Sequence, residues 1–302
     1  MYAPHKTDYQ VKMLMKNHPD GPPDRRETRH QCWMLNIKQL QARGYSKRWD
    51  INTLGKKDVC RLVDDWRTQG LSNRTIANRL VHIRWLARKV NLIGRIPTNR
   101  QLGIGLRKNA PGFGTNKAVK ADPALLALLP EREQIITLLR ILFGLRTEES
   151  LKFQYAVATQ KPGFIQLKGS WCKGGRPREI EIINDQQRDL LERVTNHQQQ
   201  NGDKSMIPSH RTYKNYYARY NKLRRKYGIK GHEYRHQWAQ ERFLEASGGI
   251  LAPHAGGPRY ADLTPEEKAR WDKAAKVVNW ELGHGMGRDD ITATYIGSRK
   301  SD

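Results

Sequence analysis

The sequence predicts a mainly α protein with a small β-sheet, in which a basic N-terminal helical bundle is followed by a larger α+β domain. Three observations carry this. Apolar residues recur at helical spacing through residues 27–107 and again through most of 123–302. Two short segments of strand character flank a Gly-Gly pair. Between the two regions, residues 108–122 are rich in Gly, Pro and basic residues and lack periodicity, which reads as an interdomain linker.

Residues 1–26 carry Gly21-Pro22-Pro23 and little periodicity, and read as a mobile lead-in. From about Glu27, Trp33, Leu35, Ile37 and Leu40 form a first helical segment that Gly44 ends. Val59, Leu62, Val63 and Trp66 define a second, over about 57–69. The third is the clearest: Ile76, Leu80, Ile83, Ala87 and Val90 share one face behind the N-cap candidates Ser72 and Asn73. Beyond the linker, residues 130–145 predict a strongly apolar helix. Strands are expected at 163–168 and 178–183, joined as a hairpin through Lys173-Gly174-Gly175. Helical patterns fill most of 185–198, 211–227 and 235–246. A Gly/Pro/His-rich insert at 247–260 precedes a last helix over about 265–282.

Composition narrows the function. Lys and Arg total 55 against 30 Asp and Glu, a formal net charge of +25 with a pI near 10.1. Residues 1–112 alone hold 23 basic and 8 acidic residues, net +15. Clustered Lys and Arg on this scale point to a polyanionic partner, because phosphate neutralisation releases counterions. Candidate DNA contacts are Arg74, Arg79, Arg84, Arg88 and Lys89 on the third helix, and Arg219, Lys222 and Arg225 on a later basic, tyrosine-rich one. No stretch approaches the roughly 20 apolar residues of a membrane span, and the N-terminus has no apolar leader core. Cys32, Cys60 and Cys172 stand far apart without a CxxC pair, so neither a disulfide framework nor a structural zinc site is expected. A reducing, cytoplasmic, nucleoid-associated setting follows as the expectation.

Four segments could carry chemistry, and each also has a plain structural reading. Arg146 follows a buried helix and Glu149 stands three residues on; a guanidinium there faces a phosphate or simply pairs with the acid. Lys173 on its turn is a proton donor or a solvated lysine. His232, Arg235 and His236 cluster at a helix start; the two histidines at i, i+4 lack the further ligands that zinc needs, and a capping role is the alternative. His284 follows Leu282-Gly283 at a helix end, and Tyr295 is one of 12 tyrosines.

Taken in order, Arg, Lys, His-x-x-Arg, His and then Tyr near the C-terminus resemble the signature of the tyrosine recombinase (phage integrase-like) family, over about residues 27–298. FGLRTEESLKF resembles its first arginine box, placing Arg146 and the supporting Glu149. CKGGRPREIEI resembles its β-hairpin lysine segment, placing Lys173. HEYRHQWAQERFL resembles the His-x-x-Arg box, placing His232 and Arg235, and LGHGMGRDDITATYIG resembles the final box, placing His284 and Tyr295. Two intervals depart from the pattern. Arg235 and Tyr295 are 60 positions apart, with residues 247–273 resembling an insertion, and His284 to Tyr295 spans 11 positions, about two more than usual.

The resemblance implies an N-terminal core-binding bundle and an α+β recombinase catalytic domain that close as a C-shaped clamp around duplex DNA. It implies attack of Tyr295 on a phosphodiester to leave a 3′-phosphotyrosine, without metal, cofactor or ATP. Arg146 and Arg235 would hold the non-bridging oxygens, His232 would act as acid/base partner, Lys173 would protonate the departing 5′ oxygen and His284 would donate a hydrogen bond. Expected partners are double-stranded DNA with specific sites, further copies forming a homotetramer on paired sites, and an accessory directionality protein. The insert and the long final loop favour a prophage or mobile-element integrase; a type IB topoisomerase, a chromosome-dimer resolvase and a DNA-binding module without catalysis are the alternatives.

Overall fold

Helical periodicity becomes helix in both halves of the chain. The computed structural model describes residues 6–46, 49–105, 114–285 and 288–299, and the chain divides into two compact units, Met1–Phe113 and Gly114–Asp302. The first contains α1 (Lys6–Asn17), α2 (Pro23–Ala42), α3 (Lys56–Thr68) and α4 (Asn73–Lys89). Its core is apolar: Val11, Trp33, Leu62, Trp66, Ile76, Leu80 and Ile83 are fully buried. Pro23 opens α2, where a fixed φ and a missing N–H cost nothing. Ser72 caps α4, its Oγ accepting from the Thr75 N–H at 3.3 Å.

The mobile lead-in expected over 1–26 is corrected by α1. This helix packs Val11, Leu14 and Met15 against the core, and polar bonds add to the attachment. The Thr7 hydroxyl donates to the Trp49 carbonyl, Gln10 Nε2 reaches Asp50 Oδ1 at 2.9 Å, and Val11 drops into the core. Side-chain-to-backbone bonds of this kind leave no periodic trace. Residues 1–5 of the lead-in and 108–113 of the expected linker lie outside the described residues.

The second unit contains α5 (Pro123–Ala127), α6 (Glu131–Leu142), α7 (Thr147–Lys152), α8 (Tyr155–Ala158), β1 (Phe164–Leu167), β2 (Arg178–Glu181), α9 (Asp185–Asn201), α10 (Tyr213–Lys226), α11 (Glu233–Ala246), α12 (Pro265–Glu281) and α13 (Asp289–Ile296). The strands pair antiparallel with Ile165 opposite Ile180, and Ile165, Leu167 and Ile180 face the core. The fold is therefore mainly α with a small sheet. α11 lies against α6, α12 and α13 and is the hub of this core.

Three local expectations shift. The apolar helix expected to reach residue 145 stops at Leu142, whose carbonyl takes N–H groups from Gln187 Nε2 at 2.7 Å and Trp238 Nε1 at 3.1 Å. Gly144 then turns at φ +59°, and any side chain there would meet the Trp238 ring at 2.4 Å. The hairpin is wider than a Gly-Gly turn. A 3-10 turn at Gly169–Trp171 and a turn closed by the Gly175 N–H on the Cys172 carbonyl at 3.0 Å separate the strands. Of the apparent insertion at 247–273, the last part is regular helix: Thr264 and Glu267 form a capping box that starts α12.

Candidate active site

The centre is assembled where α12 ends. Gly283 (φ +67°) stops the helix, and the His284 N–H returns to the Asn279 carbonyl at 3.2 Å, so Leu282-Gly283-His284 is a helix C-cap. Three guanidiniums converge on the carbonyls this leaves unpaired. Arg178 Nε donates to the Glu281 carbonyl at 2.6 Å, and Arg235 Nη2 and Arg146 Nη2 donate to the Leu282 carbonyl at 2.5 and 3.3 Å. Cations at the negative end of a helix dipole are favoured.

Glu149 anchors the same cluster from α7. Fully buried, it receives Arg178 Nη1 at 2.9 Å and Nη2 at 2.7 Å, Arg146 Nη1 at 2.9 Å, and the Arg146 backbone N–H at 2.7 Å, with Arg235 Nη1 at 3.9 Å. Burial alone would raise its pKa; Arg178, then Arg235 and Arg146, overcome that and hold it at about 2. Burial and then Arg146 pull Arg235 down to about 10, against the pull of Glu149. Three cations share one carboxylate, and Arg235 Nε is buried without a partner among the described residues. Such a place attracts an anion. Arg146, whose side chain keeps 22% of its exposure, is the cation of the three that solvent reaches best.

Tyr295 approaches from α13. Its hydroxyl lies 2.8 Å from His232 Nε2. Its ring stacks on His236 with centroids 4.4 Å apart, tilts against His284 at 5.3 Å, and has the Arg235 guanidinium 5.9 Å from its centroid. His232 sits just before α11, with part of its surface open to solvent while Tyr295, His236 and His284 are buried. Arg140 fixes that entry by donating to the Gly231 carbonyl, and the Glu233 carboxylate accepts the Gly231 N–H at 2.7 Å. Desolvation first and neighbouring cations second push His232 and His236 down to about 4 and His284 to about 3. All three rings are therefore neutral at pH 7. With the proton on Nδ1, His232 Nε2 accepts the phenol hydrogen and can take it as a base.

The structure thus gathers Arg146, Glu149, His232, Arg235, His284 and Tyr295. Lys173 stays outside the group: it is exposed on its turn, and none of its contacts reaches the cluster among the described residues. Its loop is nonetheless tied down, since Arg176 Nη1 donates to the His284 carbonyl at 3.0 Å and Arg178 is locked on Glu149. Two residues beyond the sequence-derived set belong here. Arg178 shares the inward face of β2 with Ile180, and an arginine at an inward strand position needs a buried acid; that was the available signal. His236 is one turn after His232 on the same helix face, where it serves as a stacking surface for Tyr295. Among the described residues no cluster of three or more His, Cys, Asp or Glu has the form of a metal site.

The basic residues divide. On α4, Arg74 and Arg88 are exposed. Arg84 is committed internally to the Pro97 carbonyl and Asn99 Oδ1, both at 2.9 Å; Lys89 pairs with Asp20 at 2.9 Å; Arg79 lies 5.2 Å from the Trp66 ring centroid. On α10, Arg219, Lys222 and Arg225 are exposed, while Tyr216 and Tyr220 point inward, Tyr216 donating to Glu133 at 2.8 Å. Two of that helix's tyrosines are therefore core residues.

No family model and no curated protein matches this chain. Solved structures do. A lambda integrase dimer bound to a COC′ core site aligns 98% of this chain with 96% of its own at 13% identity and TM-score 0.61. The same integrase as a tetramer on a Holliday junction gives 97%, 77%, 12% and 0.59. The Tn1549 transposon integrase in complex with circular intermediate DNA gives 98%, 96%, 14% and 0.57. The XerH site-specific recombinase on a palindromic difH substrate, a post-cleavage complex, gives 98%, 82%, 12% and 0.57. The chain has the fold of these tyrosine recombinases along nearly its whole length.

Proposed function

We propose that this protein is a site-specific DNA recombinase of the integrase kind, which cleaves and rejoins strands through a 3′-phosphotyrosine link at Tyr295. The observation that carries the reading is the 2.8 Å contact between the Tyr295 hydroxyl and a neutral His232, made beside guanidiniums that outnumber their carboxylate. A phenol with an ordinary pKa near 10 needs a base to become a nucleophile. His232 takes the proton, the Tyr295 oxygen forms a bond to phosphorus, and the bond from phosphorus to the 5′ oxygen breaks. Charge growing on the non-bridging oxygens is met by Arg146 and Arg235, with Arg178 and Glu149 holding those side chains in register. His284 donates from its side of the phosphoryl group, and Lys173 supplies the proton to the departing 5′ oxygen. The ester conserves the bond energy, so a 5′ hydroxyl from another strand reverses the step without ATP.

Arg74, Arg88, Arg219, Lys222 and Arg225 would contact the duplex backbone. Paired sites call for several copies, and the tetrameric lambda integrase on a Holliday junction supports a homotetramer in action. The fold shared with two integrases supports insertion of a mobile element as the biological use. The test is a nicked duplex built from repeats flanking the gene. Wild type should accumulate a covalent adduct resistant to denaturing electrophoresis. Tyr295→Phe, lacking one oxygen, should bind the duplex and form none. An adduct persisting in Tyr295→Phe on another tyrosine would overturn the assignment.

A further inference from the structure

The carbonyl of Tyr295 lies at the C-terminal end of α13, where no helical N–H follows to pair it. Two side chains from elsewhere in the fold take that place. Gln240 Nε2, on α11, donates to it at 3.1 Å, and His254 Nδ1 lies 3.3 Å away. His254 belongs to the short turn Pro253–Ala255 within the stretch that departs from the family's spacing. Its other ring nitrogen, Nε2, is 2.6 Å from the Gly114 carbonyl. Asn116 closes the circuit: its Nδ2 donates to the His254 carbonyl at 2.6 Å and its Oδ1 accepts from Gln240 Nε2 at 2.8 Å. A neutral imidazole, with one N–H, satisfies either Tyr295 or Gly114; an imidazolium satisfies both.

The turn sits flush on the exit of α13. A side chain at Gly297 (φ +101°) would meet Pro253 Cβ at 2.7 Å and the His254 nitrogen at 3.0 Å. Gly114 and Asn116 are exposed, so apolar burial does not hold them there. α13 itself has eight residues, too few to persist by helical propensity alone. From this ring of hydrogen bonds we propose that His254 and Asn116 are positioning residues that set the height of Tyr295 and couple it to the segment that begins at Gly114. The proposal rests on Tyr295 being the nucleophile. The added turn then has a purpose, because any displacement of residues 114–116 is transmitted to the nucleophile's backbone.

The experiment compares full-length wild type, His254→Phe, Asn116→Ala, their double variant and His254→Asn on the nicked duplex, reading duplex affinity and the single-turnover rate of adduct formation separately. His254→Phe keeps a ring and loses both ring nitrogens; Asn116→Ala alters an exposed position. Each should slow adduct formation by about tenfold or more, since small misplacements of a reacting group carry costs of this order, with affinity unchanged within about twofold. The double variant should be no slower than the slower single, because both act through one ring. His254→Asn, which retains a donor near the Nδ1 position, should recover most of the rate. Wild-type rates in both single variants would overturn the proposal, and so would a parallel loss of affinity and rate, which marks a merely structural role. Absence of an adduct in wild type would instead remove the nucleophile reading itself.

Discussion

The two units treat buried charge differently. In the first, the largest fully buried side chains are Trp33, Leu40, Leu54, Leu62, Trp66, Ile76 and Leu80, and most arginines stay at the rim, Arg61 beside the Tyr45 ring and Arg84 on the Pro97 carbonyl. Arg29 is covered, but by the face of Trp85 and without a carboxylate of its own in the core. In the second, Glu149, Arg178 and Arg235 are themselves core residues, and a buried tyrosine lies among His236, His284 and the more open His232. Removing a charge from water is costly unless every partner is in place, and an apolar core of equal volume is commonly the more stable solution. The first unit has the construction of a scaffold for surface charge. The second gives up stability to hold cations and a neutral base around one hydroxyl before any substrate arrives.

Four measurements probe that contrast, the largest effect first. Lys173 is the site candidate that stands apart from the buried cluster, so Lys173→Ala should leave unfolding unchanged while cutting cleavage by about 10²–10⁴, the range of a lost general acid. A substrate with sulfur as the bridging 5′ atom needs no proton on leaving and should restore the rate; if the variant cleaves it no better than ordinary DNA, Lys173 does not donate the proton. Glu149→Ala leaves three guanidiniums facing one another and should cost about 3–5 kcal/mol. Breaking the exposed Arg43–Asp65 pair of the first unit by Arg43→Ala should leave the denaturant midpoint nearly unchanged, because water screens it. Equal costs in denaturant titration would erase the distinction between the units.

Acidification is the third. The folded-state values of His232, His236 and His284 lie at about 4, 4 and 3, below the ordinary value of 6.5. Between those values the unfolded chain binds more protons than the folded one. The histidine contribution is therefore complete above about pH 6.5 and is lost as pH falls through about 4 and, for His284, about 3. For the buried His236 and His284 the loss is up to about 1.4 kcal/mol per pH unit each; His232, partly open to water, adds less because solvent screens it. Thermal unfolding of the DNA-free protein should shift downward from pH 7 to pH 5, and His284→Gln should flatten the slope; identical slopes in both would contradict neutral buried histidines. The smallest effect concerns salt. Arg74→Ala and Arg88→Ala should each reduce the dependence of log affinity on log salt by about 1. Arg84→Ala should leave the slope alone and lower stability instead, because its guanidinium is already used inside the unit.

Much of the site was legible because its residue types are chemically distinctive and their order along the chain is informative. Arg146, His232, Arg235, His284 and Tyr295 each had a plain structural reading alone and stood out only through their order and the resemblance it carries, and the structure brings them to one helix end. Arg178 was harder to see. Its segment was read for the lysine, although strand alternation places residue 178 on the same face as Ile180. His236 was noticed only as a possible metal partner; its stacking on Tyr295 depends on where α13 docks. Among the candidate DNA contacts, charge alone could not separate Arg74 and Arg88 from Arg84 and Lys89, since that choice depends on whether a carbonyl or carboxylate from another segment lies within reach.

Periodicity and composition are properties of short windows, and they were enough to predict helix in both halves and the excess of positive charge, while the candidate reactive groups came from the order of short motifs and the resemblance it carries. Everything else waited on the folded chain. Folding made a docked helix of α1, which is held by Thr7 and Gln10 on a segment some forty residues away. It placed three guanidiniums on the carbonyls of Glu281 and Leu282, and it fixed the neutrality of His236 and His284 by withdrawing them from bulk water beside those cations. It also set His254 against the backbone of Tyr295, with Asn116 bonded to the His254 carbonyl behind it. Each of these depends on contacts between residues distant in sequence, and the low local dielectric that makes them strong exists only once the chain has closed around them.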